Sequence, residues 1–321
     1  MSIFLSSNVI VLLFIEVVLF LFAIYSVIIA INILKNWDFN STSPKQYSLE
    51  KKSFLVSTII YFTILAKSFM FLFFASTLDS LSSIVPGAMC AAGIINANSY
   101  GNILLFLKII IIFIFALWII LNRLDLKSTT YPYIKKKYFI YIITFILLLS
   151  EIILDYLYFS NISTSKPVLC CSIVFVSSND TNGLPFNLSI DMMLLIFYIL
   201  YFLIIITSQT KQNLISFLSS ILFLFVAYYS VTYFFGTYIY ELPTHKCPFC
   251  MLQKEYYYVG CLVWISLFFG VFFGSSSYLL KLFTKKEFAF TYKYSIIFNT
   301  IFVLVCTSYV VVYYLKNGVF L

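Results

Sequence analysis

The chain has 321 residues, of which 62% are hydrophobic and 10% charged, with a formal net charge of +8. A water-soluble protein of this length needs many more charges than this on its surface, so a soluble globular class is excluded. The basic excess comes without a basic, aromatic-studded soluble face, so it does not imply nucleic acid.

A bilayer core of about 30 Å is crossed by about 20 apolar helical residues. Runs of that length predict eight spans: 8–34, 53–77, 102–122, 137–159, 189–208, 213–235, 256–281 and 293–315. Backbone facing lipid must satisfy its own hydrogen bonds, and the runs are continuous instead of alternating. Helices are therefore expected and a β-barrel is not. The first span has no charged n-region and no small-residue cleavage site, which argues against a signal peptide. The fold class is an all-α polytopic membrane protein in a lipid bilayer.

The segments after spans 1, 3, 5 and 7 hold four, five, one and four Lys or Arg, fourteen in all, against four on the opposite side. The positive-inside bias predicts that these segments are cytoplasmic and that both termini lie outside. A bacterial inner membrane is the expected location.

Five ionisable residues fall inside spans: Glu16, Lys67, Lys108, Glu151 and Asp155. Each costs a few kcal/mol in the membrane unless paired or hydrated. Two readings stand for Lys67 and Lys108, a proton or ion path or a structural ion pair with Glu16. Glu151 and Asp155 lie close to the outer end of span 4 and are expected to be hydrated.

The outer loops 78–101, 160–188 and 236–255 hold the unusual residues. Shifting the first by 157 residues places Pro86 on Pro243, Cys90 on Cys247, Gly93 on Cys250 and Tyr100 on Tyr257. The same shift lays spans 2 to 4 on spans 6 to 8. It predicts two tandem four-helix units in one orientation, a parallel internal repeat. By function the division is 1–136, a first membrane unit whose repeat shares span 4 at 137–159, and 137–321, a second unit with the cysteine loop and CxxC.

Cys247-Pro-Phe-Cys250 carries the clearest chemistry. Two thiols at this spacing close a disulfide or grip a soft metal ion. Span 7 follows directly, so its helix dipole is expected to face the sulfurs and favour thiolate. Lys254, four residues after Cys250, is expected on the same helical face, with its charge near the pair. Tyr256, Tyr257 and Tyr258 are read as an aromatic interface belt at the start of span 7, or as part of a quinone-ring pocket.

Adjacent Cys170 and Cys171 suit two different partners better than one another, because a bond between neighbours makes a strained ring. His245, the only histidine, stands two residues before Cys247. A metal reading would use Cys247, Cys250, Cys170, Cys171 and His245, since soft thiolates suit copper or zinc. Cys90 reads first as packing or a relic beside Ala91-Ala92-Gly93, or else as a further exchanging thiol or a metal ligand beside Met89, and Cys261 and Cys306 read as core hydrophobes within their spans.

The run Cys247-Pro-Phe-Cys250-Met-Leu-Gln253-Lys254 resembles the C-P-L-C-x-x-Q-R motif of the DsbB family of quinone-reducing disulfide generators, with Lys in place of Arg. Cys171-Ser-Ile-Val-Phe175-Val-Ser177 resembles the C-S-x-V-F-x-S stretch of vitamin K epoxide reductases. The order of spans 4 to 7 and their cysteines is also similar to that family. The resemblance covers roughly 137–281. It implies a membrane thiol–disulfide oxidoreductase. Electrons would pass from an extracytoplasmic, thioredoxin-like dithiol protein through Cys171 or Cys170 to Cys247 and Cys250, and then to a quinone near Gln253, Lys254 and Tyr257. The alternatives are a soft-metal binding or transport protein, or a disulfide-stapled subunit of a membrane complex. The families place their loop cysteines several residues apart, and their pattern assigns no role to the first unit.

Overall fold

The computed structural model describes residues 3–41, 43–128, 130–165, 167–168 and 188–321. Cys170, Cys171 and the Phe175 stretch lie outside the described residues. Among those described, the chain is helical and has no strand. Eight helices are long and apolar enough to cross a membrane.

α1 (Ser7–Asn36), α2 (Pro44–Leu81), the short α3 (Ala91–Ile95), α4 (Tyr100–Leu126) and α5 (Ile134–Ser160) fall in one compact unit, Met1–Leu169. α6 (Ile190–Gln209), α7 (Asn213–Ser230), α8 (Gly236–Tyr240), α9 (Val259–Thr284) and α10 (Ala289–Asn317) fall in the other, Cys170–Leu321. A π-helical turn, Val231–Phe235, joins α7 to α8, so the two make one span, Asn213–Tyr240. Most span ends lie within about a turn of the apolar runs, and several helices run on past them. α2 overruns most, because Ser43 caps it by accepting from the Gln46 amide and Pro44 sits in its first turn. At 1.5 Å per residue its 38 residues reach about 57 Å, so its polar start projects beyond a bilayer core.

Each unit is a four-helix bundle with the same cyclic order. In the first, α1 packs between α2 and α5, and α4 closes the ring between them. In the second, α6 packs between α7 and α10, and α9 closes the ring. Connections are short between α1 and α2, α4 and α5, α6 and α7, and α9 and α10, whereas the longer stretches 82–99 and 241–258 join the second and third spans of each up-down bundle. The outward faces stay apolar, with Leu21, Phe62 and Leu72 exposed in one unit and Phe202, Leu222 and Leu304 in the other. Helices apolar on all sides fit a lipid surround.

The units differ in what fills their centres. In the first, large side chains from all four helices, including Val27, Ile60, Trp118 and Tyr141, make an apolar layer. Tyr61 meets Trp118 edge-on at 5.5 Å. Beyond this layer, toward the α4–α5 connection, Lys137 pairs with Asp125 at 2.8 Å and donates to Asn122 Oδ1 at 2.8 Å. Lys137 counts in sequence as one of the Lys of a cytoplasmic segment, yet it is buried inside the bundle. In the second unit the centre is narrow. Gly270 and Gly274 of α9 face Asn299, Ser220 and Ser295. A Cβ at Gly274 would stand 2.9 Å from Ser295 Oγ, so only glycine lets these helices approach so closely.

Candidate functional site

In the second unit, α8 ends at Glu241 in the left-handed region, φ 54°, and the Leu242 amide closes the end on the Thr237 carbonyl at 3.0 Å. The chain then turns through Pro243 and Thr244 into Cys247-Pro-Phe-Cys250. The two sulfurs lie within 4.8 Å of each other and both residues are buried.

Three neighbours hold this turn. The Tyr240 hydroxyl donates to the Cys247 carbonyl oxygen and accepts the Met251 amide at 3.0 Å. Trp264 of α9 donates from Nε1 to the Pro248 carbonyl at 3.0 Å. Gly260, in the first turn of α9, lies against the Met251 backbone, where an added Cβ would stand 2.9 Å from the carbonyl oxygen. Nothing in the sequence pattern singles out Tyr240 or Trp264. Only the fold shows that they clamp the thiol turn.

Three expectations are corrected here. Span 7 begins at Val259, nine residues after Cys250, instead of at Tyr256. Tyr257 and Tyr258 both adopt left-handed backbone, φ 52° and 55°, which breaks the helix before it can reach the cysteines. Its dipole therefore does not start at the sulfurs. Nor do Cys250 and Lys254 share a helical face. Cys250–Leu252 and Lys254–Tyr256 are separate 3-10 turns split by extended Gln253, ψ 161°. Cys250 is consequently buried while Lys254 is exposed.

The residues expected to meet a quinone sit on the rim of this turn. Gln253 is half-buried, Lys254 is exposed, and the Tyr257 ring is 92% exposed. An amide, an ammonium and a free phenol face fit the carbonyl oxygens and ring of a quinone in chemical type. Tyr256 packs the other way, its ring 4.8 Å from Tyr240. Its phenol is pushed above the ordinary value, first by burial and then by the charges of Cys250 and Glu255.

His245 stacks on Tyr240 with ring centroids 4.2 Å apart, and its Nε2 is a buried atom with no hydrogen-bond partner. Its nitrogens do not join both sulfurs within the 4.8 Å spacing. Cys306 is buried in α10 as expected, whereas Cys261 on α9 is exposed and is no core residue of its unit. Cys90 is buried at the start of α3, beside the small residues that suggested packing.

The first unit holds a second constellation. Glu16 of α1, Lys67 of α2, Lys108 of α4 and Glu151 and Asp155 of α5 converge inside the bundle. Lys67 Nζ contacts Glu16 Oε2, and lies 2.6 Å from Glu151 Oε2. Lys108 Nζ lies 2.7 Å from Glu151 Oε1, 2.9 Å from Asp155 Oδ2 and 3.5 Å from Glu16 Oε1. Glu151 and Asp155 are 2% and 1% exposed, so the expectation that they are hydrated is overturned. Nearness to a helix end did not decide their fate. Four residues apart on one face of α5, they turn toward the lysines instead of the boundary. The pairing of Glu16 with a lysine is found, enlarged to five residues.

No family model, no characterised protein and no solved structure matches this chain.

Proposed function

We propose that the chain is a membrane thiol–disulfide oxidoreductase whose working pair is Cys247 and Cys250. The observation that carries this reading is the CxxC turn itself: two sulfurs within 4.8 Å, clamped at the end of a span by Tyr240 and Trp264. A small movement of the side chains closes that gap to a bond, as reversible disulfide chemistry requires.

In the proposed cycle an extracytoplasmic dithiol protein of thioredoxin type gives up two electrons and two protons as its thiols become a disulfide. Thiolate attack through mixed disulfides moves the electron pair by way of Cys171 or Cys170 to Cys247–Cys250, whose disulfide opens to two thiols. An acceptor of the quinone class takes two electrons and two protons when the pair closes again. Lys254, Gln253 and Tyr257 at the rim present a charge, an amide and a ring to such an acceptor. The Lys and Arg bias supports an orientation with the termini and this turn on the outer side of a bacterial inner membrane.

Trapping tests the proposal in the full-length membrane protein. Cys250→Ser removes the resolving thiol, so Cys247 is expected to accumulate in a mixed disulfide with Cys171 or with a partner, seen on acid-quenched non-reducing gels and identified by mass spectrometry. Two outcomes overturn it. One is the absence of any trapped species while copper or zinc copurifies in stoichiometric amount, which indicates metal handling. The other is a wild-type Cys247–Cys250 bond that never exchanges with added dithiols, which indicates a structural staple.

A further inference from the structure

The charge cluster in the first unit does not balance. Three carboxyl groups, Glu16, Glu151 and Asp155, meet two ammonium groups, Lys67 and Lys108, and all five side chains are buried. With every group ionised, one negative charge is left without a counter-charge in a low-dielectric interior, where an unpaired charge is strongly disfavoured. We propose that this cluster is a proton-binding site holding one exchangeable proton, and that Asp155 carries it.

The geometry selects Asp155. Glu16 and Glu151 are each bridged by both lysines. Asp155 meets only Lys108, through Oδ2, and its Oδ1 has no hydrogen-bond partner although the residue is 1% exposed. An unsatisfied carboxylate oxygen at such a place is costly, and a proton there removes the surplus charge and turns the oxygen into a donor. Glu151 stands one helical turn back on the same face, and the three acids each offer an oxygen within 4.8 Å of the others, so a small side-chain rotation brings an acceptor to the proton. The groups around Asp155 are Glu16 from α1, Lys67 from α2, Lys108 from α4, and Glu151 and Tyr158 on its own helix. A metal cation suits this place poorly. Both ammonium groups already bind the carboxylates and would stand beside the ion with like charge.

Access is one-sided. Asp155 lies five residues from the end of α5, about 7.5 Å along the axis at 1.5 Å per residue. Between it and that end stand the rings of Phe74, Tyr158 and Phe159, with Phe74 6.5 Å from each of the other two. Toward the opposite end lies the apolar layer with Ile60, Ile111, Phe115 and Trp118. The proton therefore exchanges past the aromatic rings, on the side of the α2–α4 connection. Such a site serves a proton-coupled step, and it stands whether or not the thiol reading holds.

Infrared spectroscopy of the full-length protein in lipid nanodiscs tests this. At neutral pH exposed Asp and Glu are ionised and do not absorb as carboxylic acids. The wild type is expected to show one protonated-carboxyl C=O band that shifts in D2O and on 13C labelling of aspartate, and that disappears as pH rises. Asp155→Asn, which mimics the neutral acid, is expected to lose the band and keep its elution profile. Labelling places the band on an aspartate, and its persistence in Asp125→Asn, the variant of the buried aspartate paired with Lys137, assigns it to Asp155 even if Asp155→Asn fails to fold. The proposal is overturned if no band exists, if the band ignores aspartate labelling, if it survives in Asp155→Asn, or if one alkali-metal ion per chain is retained without a band.

Discussion

The Tyr240 hydroxyl donates to the carbonyl oxygen of Cys247, seven residues later in the chain. The Tyr240 hydroxyl oxygen in turn accepts the Met251 amide, so one phenol spans both ends of the CxxC turn. Tyr240→Phe keeps the ring but leaves a buried carbonyl and a buried amide without this partner. The expected cost is about 1–3 kcal/mol, read as a lower Tm. The turn should also loosen, and Cys247 and Cys250 should react several-fold faster with a maleimide. An unchanged alkylation rate would mean that the hydroxyl does not hold the pair.

Lys67 joins α1 to α5 by contacting both Glu16 and Glu151. Lys67→Met strands charge inside the bundle and is expected to destabilise the protein by about 3–5 kcal/mol. Adding Glu16→Gln removes one of the stranded charges, so the double variant should recover part of that loss. Thermal unfolding of the two single variants and the double gives the coupling energy, and additivity would show that the two side chains do not interact.

Tyr256 is expected to report on the thiol pair. Its phenol is raised by burial and then by negative charge at Cys250 and Glu255. A neighbouring negative charge disfavours the phenolate, so Cys250→Ser should move the Tyr256 ionisation down, measured by ultraviolet difference titration against a Tyr256→Phe blank. The sign also sets its effect on stability. A phenol whose folded value lies above its unfolded value stabilises the fold below the unfolded value, and that contribution is lost as pH rises through the folded one. An upward shift in Cys250→Ser would contradict the arrangement around the turn.

The amino-acid sequence by itself determined the eight spans, because crossing a bilayer demands a run of apolar residues of fixed length, and that is a local property of the chain. It also marked Cys247 and Cys250 as a close pair of thiols, since their spacing is local too. The five buried charges were legible one by one, but their assembly was not. Lys67 meets partners 51 and 84 residues away, and Lys108 meets partners 43 and 47 away, on helices whose rotation the composition does not specify. Which side of α5 faces inward settled whether Glu151 and Asp155 met water or lysine. The surroundings of the thiols were decided at the same level. Left-handed backbone at Tyr257 and Tyr258 delayed the start of the expected helix, left Lys254 exposed and left the turn to Tyr240, Trp264 and Gly260. Hydropathy and spacing act along the chain, whereas charge pairing, packing and backbone strain are settled only when distant helices come together.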